Sequence, residues 1–103
     1  MDEKLKQRIE GMINSKKIFL FMKGTPDAPE CGFSMKVATI LKSLHVEFGY
    51  FNIFEDEEIR QGIKDYADWP TIPQLYINGK FIGGADITEQ LYQSGELKKL
   101  IEA

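Results

Sequence analysis

The chain has one cysteine, Cys31, and one histidine, His45, among its 103 residues. A lone cysteine excludes an intramolecular disulfide. With a single histidine it also cannot complete a structural zinc site, which takes four protein ligands. Long apolar runs are missing too: the longest near the N-terminus is Ile18 to Met22, far short of the roughly 20 residues that span a bilayer. Basic residues are not in excess, since 13 Lys and Arg stand against 16 Asp and Glu for a net charge of −3. They are not clustered with aromatics either, so charge gives no reason to expect nucleic acid. There is no repeat, low-complexity tract or linker. Met1-Asp2-Glu3-Lys4 carries neither an apolar signal region nor an Arg/Ser-rich presequence. A free thiol without a partner fits a reducing compartment. The expected location is therefore intracellular: the cytoplasm, or an organelle matrix where a presequence has been removed.

What is present suits one domain over residues 1–103, with the apolar, aromatic and charged mix of a globular protein. Leu5, Ile9, Met12 and Ile13 recur at helical spacing and predict a helix over about residues 3–14. Ile18–Met22 reads as a strand covered on both faces. The Gly, Pro and Asp content of Gly24–Glu30 predicts a loop. Phe33, Val37, Ile40, Leu41 and Leu44 trace a second helix face, and Val46 to Ile53 reads as a second strand. Glu55-Asp56-Glu57-Glu58 opens a third helix carrying Ile59, Ile63 and Tyr66.

Trp69-Pro70-Thr71-Ile72-Pro73 is a rigid connector. Leu75-Tyr76-Ile77, Asn78-Gly79 and Lys80-Phe81-Ile82 form a hairpin with a type I′ turn. Asp86 is a candidate N-cap, with Glu89 placed for a capping box. Two short helices follow, separated by Gly95. The order αβαβαββαα predicts an α/β fold with a mixed sheet whose first strand–helix–strand unit is parallel and right-handed.

In this layout Cys31 falls at a strand-to-helix junction, within Cys31-Gly32-Phe33-Ser34. Such a thiol can fill a core, act as a nucleophile, or be one ligand of a cluster completed from outside the chain. Unpaired N–H groups at a helix N-terminus, with Lys23 nearby, favour a thiolate. Glu30 opposes this if its carboxylate faces the sulfur. Ser34 stands where a Cys-x-x-Cys motif has its resolving thiol, and a hydroxyl cannot resolve a mixed disulfide.

These residues resemble the monothiol glutaredoxins of the Cys-Gly-Phe-Ser class, built on the thioredoxin fold. The likeness runs along the chain through Phe21-Met22-Lys23-Gly24-Thr25-Pro26, Cys31-Gly32-Phe33-Ser34, Trp69-Pro70-Thr71-Ile72-Pro73-Gln74-Leu75-Tyr76, and Gly83-Gly84 before Asp86. The resemblance implies a thioredoxin-like fold with a four-stranded mixed sheet, and a bound glutathione. Lys23 and Arg60 would take its glycine carboxylate, although either cation can also be plain solvated surface. Ile72 would pair through its backbone, with Pro73 in the cis form. Gly84, Ala85 and Asp86 would offer backbone N–H groups to the γ-glutamyl carboxylate, and the Asp86 side chain would meet the ammonium. Trp69 either lines the groove or packs in the core. Ala85 departs from many relatives, which carry a second cysteine there. No role falls to His45.

Two functions use this thiol. The resemblance implies a [2Fe–2S] cluster, which takes four ligands, shared between two protomers through Cys31 and two glutathiones. The protein would then be a homodimer when loaded and a monomer when empty, passing clusters to acceptor proteins, with a BolA-type protein as partner. The alternative is an oxidoreductase in which Cys31 attacks protein–glutathione mixed disulfides. A third reading is a binding module with an incidental thiol. Neither nucleic acid nor membrane is an expected partner.

Overall fold

The computed structural model describes residues 1–103. Asp2 caps the first helix, α1 (Glu3–Ile13), by accepting hydrogen bonds from the Lys4 and Leu5 N–H groups. Strand β1 (Ile18–Met22) follows and is buried along its whole length. Five further strands are β2 (Gly24–Thr25), β3 (Ala28–Pro29), β4 (Gly49–Asn52), β5 (Gln74–Ile77) and β6 (Lys80–Gly83). The remaining helices are α2 (Gly32–Ser43), α3 (Glu57–Ala67), α4 (Ala85–Ser94) and α5 (Glu96–Glu102).

The main sheet runs β4-β1-β5-β6, with β1 parallel to β4 and the other pairs antiparallel. Period-two alternation along β1 divides the core into two layers. Ile18, Leu20 and Met22 join Val37, Ala38, Ile40 and Leu41 of α2, Ala85 of α4 and Leu97 of α5. Phe19 and Phe21 join Ile9 and Ile13 of α1 and Ile59 and Ile63 of α3. The helices α2, α4 and α5 therefore cover one face, and α1 and α3 the other. This is why β1 lacks a polar side. In the β5–β6 hairpin, Asn78 and Gly79 both have positive φ, 54° and 76°, as a type I′ turn requires.

The predicted mixed α/β architecture is borne out, with four local differences. The segment 24–30 is not an open loop: β2 and β3 form a small hairpin with Thr25 opposite Ala28. The Thr25 hydroxyl accepts the Ala28 N–H and closes its tip. The second strand is shorter than 46–53 because its parallel ladder with β1 begins only at Gly49. It ends at Asn52, whose side chain caps a 3₁₀ turn over Ile53–Glu55. Helix α3 starts at Glu57, with Asp56 as its N-cap. Finally, Asp86 is not an N-cap and forms no capping box with Glu89. Helix α4 begins directly after β6, so Gly84 takes the cap position and Asp86 falls inside the first turn. Glu89 instead pairs with Lys36 at 2.9 Å, tying α4 to α2.

Candidate functional site

The site lies where β1 ends and α2 begins. Cys31 is the N-cap of α2, extended at φ −157° and ψ 135°, and partly exposed. Its sulfur makes no capping hydrogen bond. The N–H groups of the first turn nevertheless favour the thiolate. The Ser34 N–H is the largest influence lowering the thiol pKa, partial burial opposes it, and the Phe33 N–H, Lys23 and the Ser34 hydroxyl lower it further. The net direction is down from an ordinary thiol, as expected for a cysteine at a helix N-terminus. Glu30 has no part in this balance.

Ser34 has its own task. It is fully buried, and its hydroxyl oxygen accepts the Lys23 N–H at 3.0 Å. The residue at the usual resolving position thus fixes the backbone of the lysine beside the thiol.

Beside Cys31 opens a cleft of about 620 Å³ lined by Lys23, Arg60, Ile72, Pro73, Gly84, Ala85 and Asp86 together with the cysteine. Every site residue expected from the sequence lines this one cleft. Lys64, Thr71 and Ile87 also line it and were not anticipated. The signal for Lys64 was present, because it lies one turn after Arg60 on α3 and shares its face. Lys23, Arg60 and Lys64 are contributed by the end of β1 and by α3. Asp86 and the α4 N-terminus come from the opposite face of the sheet. The cleft is therefore dipolar, cationic on one wall, with an acidic side chain and free helix N–H groups on the other.

The connector from Trp69 to Pro73 forms the floor. The Ile72–Pro73 peptide is cis, as the resemblance implied. Ile72 is buried, and its backbone pairs with no other backbone group. Trp69 lines the cleft and packs on Phe81 with ring centroids 5.5 Å apart, but it is half-buried and joins neither core layer.

Buried Gln74 holds the connector from below. Its amide donates to the Trp69 and Thr71 carbonyls at 3.2 and 3.4 Å and accepts the Tyr76 hydroxyl at 3.1 Å. Burial pushes the Tyr76 pKa well up, so its hydroxyl remains a donor. Gln74→Leu is expected to cost about 2 kcal/mol, because it strands the Tyr76 hydroxyl and two carbonyls. Urea unfolding should show a lower midpoint with an unchanged slope.

Comparison with known proteins places this arrangement. Residues 18–82 match the glutaredoxin family model. Monothiol glutaredoxin-S17 of Arabidopsis thaliana is 50% identical over 101 residues, which are 98% of this chain but 21% of that protein. The chain thus spans about a fifth of that relative's length. A monothiol glutaredoxin ycf64-like protein of Synechocystis is 49% identical over 102 residues, covering 99% of this chain and 95% of that one. Among solved structures, reduced apo GrxS14 of poplar is 54% identical with a TM-score of 0.84, over 95% of this chain and 90% of that one. With its lone thiol at the head of α2 and this likeness along its length, the chain belongs to the monothiol glutaredoxins.

Proposed function

We propose that the cleft binds glutathione and that the protein carries a [2Fe–2S] cluster as cargo between two protomers. The observation that carries this reading is a thiolate-favouring Cys31 at the side of a dipolar cleft. Glutathione has a free carboxylate at one end and an α-amino acid at the other. Lys23 and Arg60 suit the glycine carboxylate. The unpaired Ile72 backbone suits a one-residue strand addition. The N–H groups at the α4 N-terminus and the Asp86 carboxylate suit the γ-glutamyl end.

The cargo fits the donor set by arithmetic. The chain holds no group of three or more His, Cys, Asp or Glu that could bind a metal ion. One thiolate per chain leaves the other ligands to a second protomer and two glutathiones. Phe33 and Met35, in the first turn of α2 after the thiol and 60% and 52% exposed, offer apolar surface to a second protomer, to a BolA-type protein or to an acceptor.

A second reading draws on the lowered thiol pKa alone. The Cys31 thiolate attacks the glutathione sulfur of a mixed disulfide, forms the Cys31–glutathione disulfide and releases the protein thiolate. Free glutathione thiolate then attacks this disulfide, giving oxidised glutathione and restoring Cys31. Anaerobic reconstitution with ferrous iron, sulfide and glutathione, followed by visible absorbance and native mass, separates the two. A coloured dimer that becomes a colourless monomer in air is the expected result. A colourless monomer with brisk mixed-disulfide turnover would replace the carrier by the enzyme.

A further inference from the structure

We infer that Asn52 is a positioning residue that sets the spacing of two cleft cations, Lys23 and Arg60, although it lines no part of the cleft. The inference rests on the glutathione reading above and adds to it a residue that governs recognition of the glycine carboxylate. Asn52 ends β4, opposite Met22 of β1. Its side-chain oxygen accepts the Gly24 N–H at 3.0 Å and the Phe54 N–H at 3.1 Å. Both partners are donors, so the atom between them is the amide oxygen and not the nitrogen.

Each bond leads to a cation. Gly24 follows Lys23 directly, and the Lys23 N–H is already held by Ser34. Asn52 thus fixes the peptide on the far side of Lys23. Phe54 carries Arg60: the guanidinium carbon lies 5.7 Å from the Phe54 ring centroid, within cation–π range. The ion pair that Arg60 makes is a weak one, 4.0 Å from the exposed Glu57 carboxylate. The Phe54 ring is itself half exposed, so its placement depends on its backbone. One oxygen atom therefore joins the segment bearing Lys23 to the platform bearing Arg60, across 28 residues of sequence. Binding one carboxylate between two cations requires that they keep a fixed separation, since a charge-assisted hydrogen bond tolerates little misplacement.

The test compares glutathione with its glycine-carboxamide analogue, which lacks only the terminal charge. Affinities are measured by calorimetry for wild type and Asn52→Ala. Wild type is expected to favour the acid about ten-fold, the value of one hydrogen bond to a charged group. In Asn52→Ala this preference should fall to about two-fold, with the carboxamide bound as before, because only the cation spacing has changed. General loosening of the fold would weaken both ligands alike and overturn the inference. So would a preference that survives the substitution, which leaves the glutathione reading standing. Wild type that does not distinguish acid from amide would overturn both. Should Asn52→Ala fail to fold, Asn52→Ser serves, since its shorter hydroxyl can cap Phe54 but not reach Gly24 as well.

Discussion

Cys31→Ser is expected to abolish the proposed thiol chemistry, whether cluster retention or mixed-disulfide turnover, while leaving the protein folded and, at pH 6, slightly more stable. The loss follows because no other residue of the chain carries a thiol. The gain follows from position. Cys31 is an N-cap without a capping hydrogen bond, and serine is among the best N-caps. Its hydroxyl should add about 0.5–1 kcal/mol, or a few degrees in Tm.

The pH dependence gives an independent check. The folded thiol pKa is depressed, chiefly by the Ser34 N–H. A depressed folded pKa contributes stability above the unfolded pKa, and that contribution is lost as pH falls through the folded value. Wild type should therefore gain on the serine variant between pH 6 and pH 9. Urea midpoints of both proteins under reductant measure this. A constant difference across that range would show that the helix N-terminus does not favour the thiolate.

How much of this was legible in the sequence depends on how far apart the interacting residues lie. Ile18–Met22 declared itself as a central strand because layers on both faces removed any polar alternation. Asn78-Gly79 marked its hairpin because a type I′ turn needs positive φ at both positions. The cleft residues were legible through the family likeness, and Cys31 through its place before an amphipathic helix. Asp86 and Glu89 misled because a capping box is a local pattern. The end of β6 at Gly83 set the start of α4 instead. Glu89 found a stronger partner in Lys36, on a helix remote in sequence. Asn52, Ser34 and Gln74 are a different case. Each is an ordinary polar residue whose task appears only when the backbone group it satisfies is brought beside it. Short-range pattern carries no trace of a bond from Asn52 to Gly24.

Gly24→Ala should be among the most destabilising single-methyl changes in the chain, costing about 3 kcal/mol or more. Gly24 sits at φ +87°, where an L side chain is strained. The added Cβ would also lie 2.5 Å from the Ala28 oxygen and 2.7 Å from the Glu30 nitrogen. Both are backbone atoms, one in β3 and one in the residue that follows it, so neither can swing aside as a side chain would. Relief requires the hairpin to open, which breaks the Glu30 N–H bond to the Lys23 carbonyl and strains the Gly24 bond to Asn52. Lys23 would move with it, and the Cys31 pKa should drift back toward an ordinary thiol, since Lys23 is one of the groups lowering it. Gly11→Ala is the matched control. Gly11 lies within α1, and a Cβ there meets nothing within 4 Å. Alanine at that site should stabilise by about 0.5–1 kcal/mol through helix propensity. The same methyl group is thus expected to act with opposite sign at the two glycines in urea unfolding. If Gly24→Ala were as harmless as Gly11→Ala, the hairpin would be a loose appendage that does not fix the Lys23 backbone.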